Sequence, residues 1–135
     1  YWNYRSFMDA ILQMPGFDAI LFSHIFNIHS AEANITLLCK AWDALPWGGQ
    51  VIIVNSVELQ GRPASLGSAL LSLYFLAVAT GEGRVYPVDA YEGWLGEAGF
   101  GEATIRPVPG TDHAVIRAEK TPTLAIEFST QWEDP

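Results

Sequence analysis

The sequence predicts an α/β domain: a partly parallel sheet that closes with an antiparallel hairpin, with helices on both faces. Three observations carry this. Two apolar runs, Phe17 to Ser23 and Val51 to Val54, have the look of strands buried on both faces, as in parallel sheets. An amphipathic stretch separates them, at the spacing of a strand–helix–strand crossover. Two short runs joined by turn residues, Ala103 to Arg106 and His113 to Arg117, supply the hairpin.

Each element has a local cause. Tyr1 to Met14 reads as a short helix with Phe7, Met8 and Ile11 on one face, stopped by Pro15-Gly16. Ser30 is placed to cap the crossover helix, and Glu32 in its first turn suits the helix dipole. Ile35, Leu38, Cys39, Trp42 and Leu45 then recur at helical spacing, until Pro46 and Gly48-Gly49 end the helix. Pro63 to Thr80 reads as a long apolar helix, too short for a bilayer and therefore expected to be buried. Pro87 opens a further helix with Tyr91, Trp94, Leu95 and Ala98 inward and Gly99 as its stop. The chain divides into an N-terminal helix (1–16), the α/β unit (17–120) and a tail (121–135) with one strand-like run, Leu124 to Phe128.

Composition narrows the function. The net charge is −8 and the seven basic residues are scattered, which argues against nucleic acid or an anionic membrane as partner. Half of the residues are hydrophobic and five are Trp, so some apolar surface is expected to be covered by a partner or by further chain. The single Cys39 allows no internal disulfide and is read as a small buried hydrophobe. The opening residues have neither the basic nor the apolar part of a secretion signal, so a cytoplasmic protein is expected. His24, His29 and His113 have no cysteines or paired carboxylates at ligand spacing, so no metal is expected.

Three passages, in order, carry a resemblance. They are Phe17-Asp18-Ala19-Ile20-Leu21-Phe22-Ser23-His24-Ile25-Phe26-Asn27, then Leu37-Leu38 through Ala44-Leu45-Pro46 and Gly48-Gly49-Gln50-Val51-Ile52-Ile53, then Tyr86-Pro87 through Tyr91, Trp94-Leu95 and Glu97-Ala98-Gly99-Phe100. From Phe17 to Lys120 the chain resembles the C-terminal half of the class I S-adenosylmethionine-dependent O-methyltransferases of plant and bacterial type. The resemblance implies a partial Rossmann-like methyltransferase sheet and an O-methyltransferase, or part of one, for a small phenolic or polyketide-like hydroxyl in secondary metabolism. It also implies a homo-oligomer or a complementing chain as partner. The apolar stretch from Pro63 to Thr80 matches the family segment that lines the substrate cavity and the dimer surface.

The departures matter as much. The glycine-rich turn that grips the cofactor is absent, because no D/E-x-G-x-G-x-G run occurs. The first strands of the fold are then expected from a longer chain, across an internal loss, or from a partner. The family's base is a histidine steered by two acidic residues; the matching positions hold Asn27, Asn55 and Ala90. An amide accepts no proton at neutral pH, so the base is gone. The resemblance marks Ser23, His29 and Asp9 as cofactor-side candidates, and Asn55, Tyr74 and Phe75 as substrate-side candidates. Glu58 and Arg62 lie in the loop after the second strand. Two other outcomes stay open: a methyltransferase-like protein with non-methylating chemistry, and a truncated non-enzymatic accessory chain.

Overall fold

The computed structural model describes residues 9, 10, 12, 13 and 16–122. Most of the N-terminal helix and the Leu124 to Phe128 run lie outside the described residues. The elements are β1 (Ala19–Ser23), α1 (Ala31–Ala44), β2 (Gln50–Glu58), α2 (Leu66–Tyr74), β3 (Tyr86–Pro87), α3 (Val88–Ala98), β4 (Thr104–Pro107) and β5 (His113–Glu119). The strand order is β1-β2-β5-β4, with β3 added at the end of β2. The two apolar strands lie side by side in parallel, from Ala19 opposite Gln50 to Ser23 opposite Val54. β5 runs antiparallel to β2 and to β4, so the expected hairpin closes the sheet.

Alternation sorts the side chains. Phe22, Val51, Ile53, Ala114 and Ile116 are fully buried and pack with Leu38 of α1 and Tyr91 and Leu95 of α3. α1 and α3 meet over this face. Leu21, on the other face of β1, is 63% exposed. Within the described residues β1 pairs only with β2, so its second edge carries no partner strand.

The turn from α1 into β2 is closed by a residue far away in sequence. Gly48 has a left-handed backbone (φ 81), and a Cβ on Gly49 would lie 2.9 Å from the Pro46 carbonyl oxygen. The last turn of α1 holds no basic residue. Instead the Lys120 ammonium donates to the carbonyls of Trp42 (2.7 Å) and Leu45 (2.8 Å), and lies over the Trp42 and Trp47 rings. A cation there meets the negative end of the helix dipole.

Three expectations change. β2 runs on to Glu58, past the four apolar residues that announced it, because Asn55 and Ser56 continue the ladder. Cys39 is exposed. The stretch from Pro63 to Thr80 is not a buried helix. It is α2, capped by Ser65, followed by a π-helical segment at Phe75–Ala79. Leu66, Leu70, Leu73, Leu76 and Val78 face solvent, and only Ser68 of α2 is buried. Polar bonds fix this helix to the sheet's end: Ser65 and Ser68 both donate to Asp112, and Ser72 accepts from the Val85 amide. No helix among the described residues is long and apolar enough to cross a membrane.

Candidate active site

Ligands of open α/β sheets gather at the C-terminal ends of parallel strands. Here those ends are Ser23 of β1 and Val54 to Glu58 of β2. The segment after β1 is clamped. Asn34 of α1, fully buried, donates to the Phe26 carbonyl at 2.8 Å. Thr80 donates to the Ile28 carbonyl at 2.7 Å. Gly83 lies so close that a Cβ there would sit 2.2 Å from the Asn27 carbonyl oxygen. The loop after the π segment is thereby laid on residues 27 and 28.

The structure brings Asn27 and Asn55 together, both buried. The Asn27 amide is oriented by its partners: its nitrogen donates to the carbonyls of Ser56 (3.2 Å) and Arg84 (3.3 Å). The same atom lies 3.4 Å from the Asn55 amide nitrogen and from the Tyr91 hydroxyl. Asn55 donates to the Tyr91 hydroxyl at 2.9 Å, and its own side-chain oxygen is buried without a partner among the described residues. Around position 27 there is therefore a knot of two amides and a phenol. None of the three accepts a proton at neutral pH.

Burial pushes the Tyr91 hydroxyl well above the usual tyrosine range, against a smaller opposing effect of the Asn55 hydrogen bond. A tyrosine in the unfolded chain ionises near pH ~10 while Tyr91 keeps its proton. The folded state then binds more protons than the unfolded state, so stability falls as pH rises above ~10. Tyr91→Phe is expected to cost about 1 kcal/mol at neutral pH and to remove part of this alkaline loss. Urea unfolding of both proteins at pH 8, 10 and 11 checks this. Equal alkaline slopes would contradict it.

The other candidates are dispersed. Ser23 is exposed at the end of β1, with its hydroxyl 2.9 Å from His24 Nδ1. The His29 carbonyl accepts from Tyr86, and its imidazole lies 3.9 Å from the Glu82 carboxylate. Asp9 is paired with Lys40 on α1. Tyr74 is 52% exposed, with the Phe75 ring edge-on to its own. Glu58 and Arg62 border a cavity of about 50 Å³ with Ser65 and Asp112.

Several residues of the site escape the sequence reading. Tyr91 reads as an ordinary core aromatic at helical spacing, although a buried hydroxyl demands a partner. Asn34 sits on the inward face of α1, where a polar residue in an apolar stripe is itself a signal. Gly83 gives no signal beyond a loop, and Thr80 none beyond the end of the apolar stretch.

Cofactor fit is partial. S-adenosylmethionine needs close backbone approach at a glycine-rich turn and a carboxylate for its ribose. No run of alternating glycines leads from a strand into a helix here. The described residues offer one wall of such a site and not its cradle.

Comparison with known proteins agrees with this architecture. A family model described as an O-methyltransferase domain matches residues 6–101. The L-tyrosine C(3)-methyltransferase of Streptomyces lavendulae is 41% identical over 108 residues, which are 78% of this chain and 30% of that protein. The 3-hydroxy-5-methyl-1-naphthoate 3-O-methyltransferase of Streptomyces sahachiroi is 35% identical over 102 residues, 74% of this chain and 29% of that protein. The crystal structure of the S-adenosylmethionine-dependent methyltransferase SibL in its apo form superposes with a TM-score of 0.70 at 33% identity, covering 83% of this chain and 34% of that one. The chain spans about a third of the length of these relatives. Because the family match takes in well over half of its residues, the chain belongs to the O-methyltransferase domain family.

Proposed function

We propose that this chain is the acceptor-side portion of an S-adenosylmethionine-dependent methyltransferase that methylates the hydroxyl of a small phenolic or polyketide-like natural product. The observation that carries this reading is the family match across the strand-end segment that contains Asn27. When bound, the cofactor supplies an electrophilic methyl group; its cradle is contributed by residues outside those described. Ser23 and His29 border the cofactor side, and Tyr74 and Phe75 border the acceptor. Asn27, Asn55 and Tyr91 hold the segment in shape without taking a proton. Catalysis then rests on alignment of acceptor oxygen and methyl group, a contribution that reaches effective molarities of ~10⁵ M or more. The exposed apolar face of α2 is the surface proposed for self-association. The cell interior is the proposed location, in keeping with a single cysteine.

A second reading has specific support. The Streptomyces lavendulae relative is named an L-tyrosine C(3)-methyltransferase, for transfer to carbon and not to oxygen. With no imidazole at position 27 aimed at a hydroxyl, nothing in the knot selects oxygen over the adjacent ring carbon. The decisive experiment supplies the protein with methyl-labelled S-adenosylmethionine and phenols deuterated beside the hydroxyl, L-tyrosine and a hydroxynaphthoate among them. Label in the product with all ring deuterium kept means O-methylation; loss of one deuteron means C-methylation. No transfer to any phenol, with the cofactor bound, would leave the non-methylating reading standing.

A further inference from the structure

The C-terminal edge of the sheet holds a second polar cluster, around His24 and His113, that meets the proposed methyl-transfer site only at Ser23. His24 leaves β1 with a left-handed backbone (φ 57), the sole non-glycine among the described residues to do so. Such a conformation persists only where the surroundings over-determine it. Here it accompanies a contact across β2. The His24 Nε2 lies 2.9 Å from the Nε2 of His113 at the start of β5, with ring centroids 5.0 Å apart. The Ser23 hydroxyl lies 2.9 Å from His24 Nδ1, and the Ser56 hydroxyl 3.3 Å from His113 Nε2.

This arrangement has the parts of a chelate. When His24 donates its Nδ1 proton to Ser23, the Nε2 lone pair faces His113. An outer partner that fixes the tautomer of a ligating imidazole is the usual companion of a metal-bound histidine. Two imidazoles on one tetrahedral ion, each ~2.0–2.1 Å away, stand ~3.3 Å apart. The pair needs to open by only ~0.4 Å, with the ion taking the place of the proton shared between the rings. The spacing in sequence hides this, because the two histidines are 89 residues apart.

We propose that His24 and His113 form a two-imidazole site for a divalent transition metal of the zinc class. Among the described residues no third histidine, cysteine or carboxylate joins them. The remaining coordination positions therefore belong to water or to an oxygen ligand arriving at the strand ends. The ion ties the end of β1 to the start of β5 across β2, beside Ser56, whose carbonyl holds the Asn27 amide.

The test is calorimetric titration of the tag-free protein with Zn²⁺, followed by Co²⁺ absorption spectra. One saturable equivalent is expected. His24→Asn and His113→Asn each abolish it, asparagine being chosen at 24 because it tolerates the left-handed conformation. Ser23→Ala weakens binding about tenfold, and His29→Asn leaves it unchanged. Circular dichroism of each variant verifies folding, and selective broadening of the His24 and His113 ring resonances by Cu²⁺ in the unaltered protein gives a reading that needs no variant. Absence of saturable Zn²⁺ binding, or its survival in the His24→Asn/His113→Asn double variant, overturns the proposal.

Discussion

Gly83→Ala is expected to be the most damaging single added methyl group in the described part of the protein. Its Cβ would stand 2.2 Å from the Asn27 carbonyl oxygen and 2.7 Å from that of Ile28. Both are backbone atoms, and the Ile28 carbonyl is already held by Thr80, so neither retreats without breaking the clamp. The loop must lift, exposing the knot around Asn27. Overpacking of this kind costs about 3 kcal/mol or more. Gly93→Ala is the matched control: it lies inside α3 with nothing within 4 Å of the added carbon. There the same change is expected to stabilise by about 0.5–1 kcal/mol, because alanine favours a helix interior. Urea midpoints of the two variants should therefore move in opposite directions. A Gly83→Ala shift under about 1 kcal/mol would show that the loop is not laid on residues 27 and 28.

Phe26→Ala is the second large effect, at about 4 kcal/mol. Phe26 is fully buried, edge-on to Phe22 (5.2 Å between centroids) and to Tyr91 (6.1 Å), and stacked near Trp94 (6.4 Å). Its removal leaves a void lined by three aromatic rings directly before Asn27. Phe26→Leu refills much of that void and is expected to recover more than half of the loss, as read by thermal or urea unfolding. If both variants unfold at the same denaturant concentration, the ring fills no space of consequence.

The sheet was legible because its causes are local. Phe17 to Ser23 and Val51 to Val54 advertise burial by composition, Ser30 caps α1 as its position requires, and Gly99 ends α3 in the left-handed conformation (φ 104). The candidate site was half legible. Asn27 and Asn55 emerge from motif alignment, and the structure brings them together. Tyr91 completes the knot through one hydroxyl at the far end of a ring that reads as core, and no spacing rule reports where such a ring ends. His113 was hidden for another reason: pairing with His24 depends on β5 lying beside β2, a non-local event. The exposure of α2 escapes the sequence because composition records how apolar a helix is and not what covers it. Leu66 and Leu73, at 76% and 59% exposed, make that distinction plain.

Lys120 ties the end of the sheet back to its first crossover. Its amide and carbonyl bond to Gly49 and Gly48, while its ammonium occupies the open carbonyls of α1. A protease that cut just before it would remove no strand residue, yet it would release a helix end, a reverse turn and two indole faces at once. One side chain reaching backward, one position beyond the last rung of the sheet, thus fastens the closing strand to the first crossover.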